Sequence, residues 1–382
     1  MLTLLGGTAA VLTTGLPSSA GSRVPDDLLP GGAFDRFVAA QAAAGAFSGS
    51  LLLTRRGHPV LARSYGMTDK QRAVPNGPGT RFALASVTKL FTATAIAQLA
   101  QQRKLAYGAT VGEYLTGFPA AIAGKVSIHH LLTHTSGLGD YQQTPGFWDK
   151  AATWTSRTAV MDGITDFIRQ SALLAAPGTS WNYSNSGYHL LGEIVAKASG
   201  QSYYDYVSEH VFRRAGLLGT GFYTRPQRLA DSTIARPYEL QPSGEHVDIA
   251  KSLLYVGTPA GDAFSTCADL ARFANALSGA KLLDPAFTQL TLSGKVPLPP
   301  PVGPPPPQQP PVTPATLFQG YGPMVGLVNG RSTVGHGGGS PSASTSIETY
   351  PDDGWTVAVL SNYGEPNILP IVSLARRFIT AG

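Results

Sequence analysis

The sequence predicts a mixed α/β (α+β) protein: an antiparallel sheet built from both ends of the chain, flanked by helices, with a helical lobe inserted between. Three observations carry that expectation. Strand-like runs occur near the beginning and again near the end, while helix-like periodicity fills the middle. A chain of 382 residues with 43% hydrophobic and only 13% charged residues can also bury a large core.

The first strands are expected at Ser50–Thr54 and Pro59–Gly66, joined by the turn Arg55-Arg56-Gly57-His58. A long helix follows from about Ser86 to Arg103. Its apolar residues (Val87, Leu90, Phe91, Ala93, Ile96, Leu99) cover most of its circumference, which predicts burial in the middle of the domain. Shorter helices are expected at Ile128–Thr133, at Gly187–Ser199 with Gly200 as its stop, and at Leu270–Ala280. The last of these opens on a cap signature, Thr266 with Asp269 three residues on. Strands return at Arg331–His336, Ser342–Tyr350 and Trp355–Ser361, and Ile368–Thr380 reads as a closing helix. The proline-rich stretch Lys295–Pro314 cannot form a helix or a central strand. It reads as a stiff surface insertion, the alternative being a ligand for a proline-reading module.

Charge and cysteine usage narrow the function. The formal net charge is +5, but the longest basic pieces are pairs such as Arg55-Arg56 and Arg213-Arg214. Nothing follows a phosphate backbone, so no nucleic-acid partner is expected. Cys267 is the single cysteine, so no intrachain disulfide forms, and it is expected half-buried in the first turn of its helix. Residues 1–22 resemble an export signal that lacks its basic region: Leu2 to Leu16 is apolar and Ser18-Ser19-Ala20 offers small residues for cleavage. Export is the expectation, with a cytoplasmic protein as the alternative if the segment is not a signal. An apolar run of about 15 residues is too short for a bilayer, so no integral membrane span is expected.

Three local patterns carry chemistry. In Ser86-Val87-Thr88-Lys89, serine and lysine lie three apart at a helix start, where their functional atoms can meet. Free N–H groups at a helix amino terminus favour negative charge developing there. A serine hydroxyl needs a base to become a good nucleophile, and a lysine serves if burial lowers its pKa. Alone, the tetrapeptide is weak evidence, because S-x-x-K is common and a capping serine with a surface lysine is its first reading. The second pattern is Tyr183-Ser184-Asn185, where tyrosine can relay a proton and the asparagine amide can hold a carbonyl. The third is Gly335-His336-Gly337-Gly338-Gly339 beside a strand. It fits a plain bend, or a strand edge that binds an extended substrate and supplies an oxyanion donor.

In the order S-x-x-K, Y-x-N, H-x-G, these motifs resemble those of the serine β-lactamase and penicillin-binding-protein superfamily, in particular its branch of DD-peptidases, β-lactamase-like esterases and transacylases. The phrases Phe82–Lys89, Ile128–Leu138 and Pro259-Ala260-Gly261 with Ser265–Leu270 extend the resemblance over most of the chain. It implies a β-lactamase/transpeptidase-like fold and a single catalytic domain over 23–382. The sheet lobe would take about 30–85 and 257–382, and the helical lobe about 86–256, with the proline-rich insertion at 295–314. By motif, Ser86 becomes the nucleophile, Lys89 its proton partner and Tyr183 the general base and acid. Asn185, His336 and Gly338 contact substrate, and the backbone N–H groups of Ser86 and Gly339 form the oxyanion hole. Whether Lys89 or Tyr183 takes the first proton stays open.

Two departures bear on substrate. His336 stands where many family β-lactamases carry a lysine, so a fixed positive charge for a carboxylate is missing. No acidic residue is evident for deacylation. His129, His130 and His134 invite a metal reading, since 130 and 134 are one helical turn apart, yet no third ligand joins that pair and no H-E-x-x-H glutamate accompanies it, and packing is their expected role. No metal or cofactor is expected. The expected reaction is hydrolysis of a small-molecule or peptide amide or ester through a Ser86 acyl-enzyme. The alternatives are transfer of the acyl group to an amine or alcohol, and a catalytically silent binding or sensor protein. The sequence leaves the oligomeric state open.

Overall fold

The computed structural model of the chain describes residues 23–299, 315–364 and 368–381. The signal-like segment 1–22, and residues 300–314 of the proline-rich insertion, lie outside the described residues.

Helix α1 (Ala33–Ala43) precedes the hairpin of β1 (Gly49–Arg55) and β2 (His58–Tyr65). Arg56 and Gly57 turn the hairpin at φ +50° and +80°, the positive values that match the twist of the flanking strands. Helix α2 (Lys89–Gln101) follows, then α3 (Ile128–Leu132), α4 (Arg157–Arg169), α5 (Asn185–Ser199) and α6 (Cys267–Ser278). The chain then returns to the sheet with the short β3 (Val296–Pro297), β4 (Ala315–Gln319), β5 (Met324–Val328), β6 (Arg331–Ser340), β7 (Ala343–Tyr350) and β8 (Trp355–Ser361). It closes with α7 (Leu369–Thr380).

The eight strands form one antiparallel sheet in the order β2-β1-β8-β7-β6-β5-β4-β3. The two ends of the chain meet where β1 pairs β8, Gly49 opposite Ser361 through Arg55 opposite Trp355. Strand β8 is buried along its whole length and alternates between two cores, as a period of two requires. Trp355, Val357 and Val359 pack with Phe34, Val38, Ile371 and Val372 of α1 and α7. Ala358 and Leu360 belong to the larger cluster, which includes Leu270 and Phe273 of α6 and Phe91 of α2.

Helix α2 is buried from Lys89 to Ala100, as its all-round apolar pattern predicts. Phe91 anchors it, meeting Phe212 and Phe273 edge-to-face with ring centroids 4.9 and 4.8 Å apart. Thr266 caps α6 by accepting from the Asp269 N–H, again as expected. Gly200, at φ +75°, ends α5. No helix among the described residues is long and apolar enough to cross a membrane.

Three expectations need correction. The helix expected from Ser86 begins instead as a 3-10 turn, Ala85–Thr88, and becomes α-helical at Lys89. Ala85 sits at φ +43°, a left-handed kink that a regular α-helix cannot contain. The glycine cluster 335–339 lies inside β6 rather than beside a strand, because every residue from Gly335 to Ser340 has a partner on β7. Cys267 is buried rather than half-buried, and burial pushes its thiol up to about 12. The proline-rich stretch begins as β3, an edge strand, where Pro297 is tolerated.

Candidate active site

The site forms where the 3-10 turn of Ser86, the start of α5 and the far end of β6 converge. Ser86 is half-buried, and its Oγ lies 3.1 Å from Lys89 Nζ and 2.6 Å from the Tyr183 hydroxyl. Lys89 is buried on α2 and donates to two further acceptors: Asn185 Oδ1 at 2.7 Å and the Ala260 carbonyl at 2.6 Å. Burial lowers its pKa to about 7 against the opposing pull of the Asp140 and Asp262 carboxylates. The two carbonyl oxygens only accept, so in the neutral amine they take both N–H bonds and leave the lone pair facing Ser86 Oγ.

Tyr183 is held by its ring. His134 stacks on it at 4.4 Å between centroids and 28° between planes, and the Lys89 Nζ lies 4.8 Å from the same ring centroid. His134 is itself locked: it is buried, burial holds its pKa well below normal, and Nδ1 accepts the Ser184 N–H. Ser184 caps α5, which makes Asn185 the first residue of that helix. The other two histidines of the phrase also have structural partners. His129 Nδ1 pairs with the Tyr321 hydroxyl, and His130 Nδ1 accepts from the Ser127 N–H in a capping box.

Strand β6 forms the third wall. Strand β5 ends its pairing at Gly335, so residues 336–340 have β7 on one side and a cleft on the other. Gly338 crosses directly against the Ser86 turn. A Cβ there would lie 2.5 Å from the Leu84 carbonyl oxygen and 2.9 Å from the Ser86 nitrogen. Thr345 on β7 clamps the crossing, its hydroxyl 2.9 Å from the Leu84 oxygen. His336 is buried, its Nδ1–H donates to the Gly337 carbonyl, and burial pushes its pKa down to about 4. The imidazole is therefore neutral at pH 7.

Ser86 borders two cavities. A cleft of about 430 Å³ runs past Tyr183, His336 and Gly337–Gly339 toward Leu369, Val372 and Arg376 of α7. A smaller polar pocket of about 80 Å³ lies on the other side, lined by Tyr141, Gln142, Asn185, Asp262 and Gly339. All the predicted site residues (Ser86, Lys89, Tyr183, Asn185, His336, Gly338 and Gly339) thus converge on one place. Sequence reasoning missed Asp140, Asp262, the Ala260 carbonyl and the supporting role of His134. Asp140 follows Gly137-Leu138-Gly139 and caps the turn Tyr141–Gln143, a local signal that was readable. No spacing rule connects it to Ser86, which lies on a different element.

The chain matches known proteins along most of its length. Residues 34–373 match the family model described as Beta-lactamase. Penicillin-binding protein 4* of Bacillus subtilis is 31% identical over 336 residues, covering 84% of this chain and 69% of that protein. Esterase EstB of Burkholderia gladioli is 34% identical over 196 residues, covering 47% of this chain and 48% of that esterase. The crystal structure of a penicillin-binding protein from Bacillus halodurans superimposes with a TM-score of 0.75 at 26% identity, covering 88% of this chain and 98% of that one. Sequence and fold agree, and the chain belongs to the beta-lactamase family of serine hydrolases.

Proposed function

We propose that this enzyme cleaves an amide or ester through an acyl-enzyme on Ser86. The observation that carries the reading is the position of Ser86 Oγ, within hydrogen-bond reach of both Lys89 Nζ and the Tyr183 hydroxyl. Ser86 Oγ attacks the substrate carbonyl carbon, and its proton passes into the Lys89–Tyr183 pair. The tetrahedral oxyanion takes hydrogen bonds from the backbone N–H groups of Ser86 and Gly339, next to the crossing at Gly338. The carbon–leaving-group bond then breaks, and the proton held by the pair goes to the departing amine or alkoxide. Water entering the ester repeats the sequence in reverse roles and releases the acid.

The names of relatives support both halves of the substrate reading, since one is a penicillin-binding protein and one an esterase. The neutral His336 supplies no fixed charge for a carboxylate, which favours uncharged esters and amides over β-lactams. The open cleft beyond Ser86 also has room for an amine or alcohol acceptor, the basis of an acyltransferase reading. The signal-like segment 1–22 supports export.

The test is mass spectrometry after incubation with a fluorophosphonate and, separately, with a β-lactam. A single adduct that Ser86→Ala removes is expected with the first reagent. Absence of any Ser86 adduct would overturn the acyl-enzyme. Product analysis with and without added amines or alcohols then separates hydrolase from transferase.

A further inference from the structure

We infer that Asp140 is a positioning residue for acyl transfer, acting through the Asn185 amide to aim Lys89 at Ser86. The inference rests on the acyl-enzyme reading above and adds a residue that the motifs did not contain. Asn185 Nδ2 donates to Asp140 Oδ2 at 2.7 Å, while Asn185 Oδ1 accepts from Lys89 Nζ at 2.7 Å. A carboxylate can only accept, so it compels the amide to turn its NH₂ toward Asp140 and its oxygen toward Lys89. With the amide reversed, two donors would face each other at Lys89 and its lone pair would lose its direction.

Asp140 is well placed to hold that orientation because it is itself fixed. Its Oδ1 accepts the Gln142 N–H at 3.0 Å, and its Oδ2 also lies 3.4 Å from the Asn185 N–H at the start of α5. One carboxylate therefore ties the turn after α3 to the helix carrying Asn185. Gln142 Oε1, 3.3 Å from Asn185 Nδ2, adds a second acceptor on the same side of the amide.

Asp140 acts by charge as well as by geometry. The groups that bear on Lys89 are the Asp140 and Asp262 carboxylates, the Tyr183 and Tyr188 rings, and the buried neutral imidazoles of His134 and His336. Arg228 stands behind Asp262. Of the two carboxylates, Asp140 pulls harder toward the ammonium form. Removing its charge lowers the Lys89 pKa further and frees the amine at lower pH. Removing its acceptor oxygens as well frees the amide to rotate.

Two variants separate these effects: Asp140→Asn keeps an acceptor oxygen of the same shape, and Asp140→Ala does not. The reading is the second-order rate of Ser86 labelling by a fluorophosphonate across pH 5–9, which needs no knowledge of the natural substrate. Asp140→Asn is expected to label within about 3-fold of the parent at pH 8, with the acid limb of its profile moved to lower pH. Asp140→Ala is expected to label about 10- to 100-fold more slowly, less than the roughly 10²- to 10⁴-fold lost with the base itself because the amine is misdirected and not removed. Labelling of Asp140→Ala at the parent rate, or an unmoved limb in Asp140→Asn, would overturn the inference. If Asp140→Ala melts too low to assay, the limb of Asp140→Asn decides alone. Failure of the parent to label at Ser86 would instead remove the acyl-enzyme reading on which the inference stands.

Discussion

Lys89 joins an amine buried in an apolar helix to a set of hydrogen-bond partners, Ser86 Oγ, Asn185 Oδ1 and the Ala260 carbonyl. Burial brings its pKa from 10.5 to about 7, and the carbonyls of Asn185 and Ala260 give the neutral form a direction. Protonated Lys89 cannot accept the serine proton. The profile of kcat/KM should therefore rise with pH through about 7 and level off above it. Lys89→Ala should lower kcat/KM by about 10²- to 10⁴-fold, the range typical of a lost general base. Steady-state kinetics on a chromogenic ester checks both, and a profile flat from pH 5 to 8 would refute the role given to Lys89. The pairing of Ser86 with Lys89 was legible from their spacing. The acceptors that orient Lys89 were not, because Ala260 reaches it from a distant loop and Asn185 is held for it by Asp140 from another.

The element that sets the geometry of the site is the crossing of β6 over the Ser86 turn. Ser86 stands on a 3-10 turn after a left-handed Ala85, and that turn is pinned by the Leu84 N–H to the Ala263 carbonyl at 2.8 Å. Gly338 lets the strand lie against it. Gly338→Ala places a methyl 2.5 Å from the Leu84 oxygen and from Thr345 Oγ1, so one element must move away. We expect a loss of about 1–3 kcal/mol in stability, as for other overpacked sites. Labelling of Ser86 should also fall at least about 10-fold, since a displacement of an ångström at a reacting centre is costly. Thermal melting and the fluorophosphonate rate measure the two, and an unchanged labelling rate would contradict the crossing as the positioning device. The glycines announced a close approach in the sequence. Their place inside a strand was hidden, because their low strand propensity is overridden by pairing with β7.

At the scale of the molecule, the cost of burying Lys89 appears as a pH dependence of stability. Between pH 7 and 10.5 the unfolded chain holds one proton on this lysine that the folded chain does not. The unfolded state binds more protons in that window, so stability rises with pH across it. Lys89→Met removes the effect while keeping the volume. Urea unfolding between pH 7 and pH 9 should show the parent gaining stability relative to Lys89→Met. Parallel curves would mean that Lys89 stays charged when folded.

The sequence by itself determined the class of the fold, the strands nearest its two ends, several of its helices, and the seven motif residues that meet at the site. Those features depend on local periodicity, on capping signals such as Thr266, and on motifs whose order along the chain is informative. Tertiary structure alone decided how β1 and β8 close one sheet, that β6 runs through the glycine cluster, and that Asp140, Asp262 and Ala260 surround Lys89. The physical reason is that pairing, burial and the direction of a lone pair depend on neighbours far along the chain, which no local window contains.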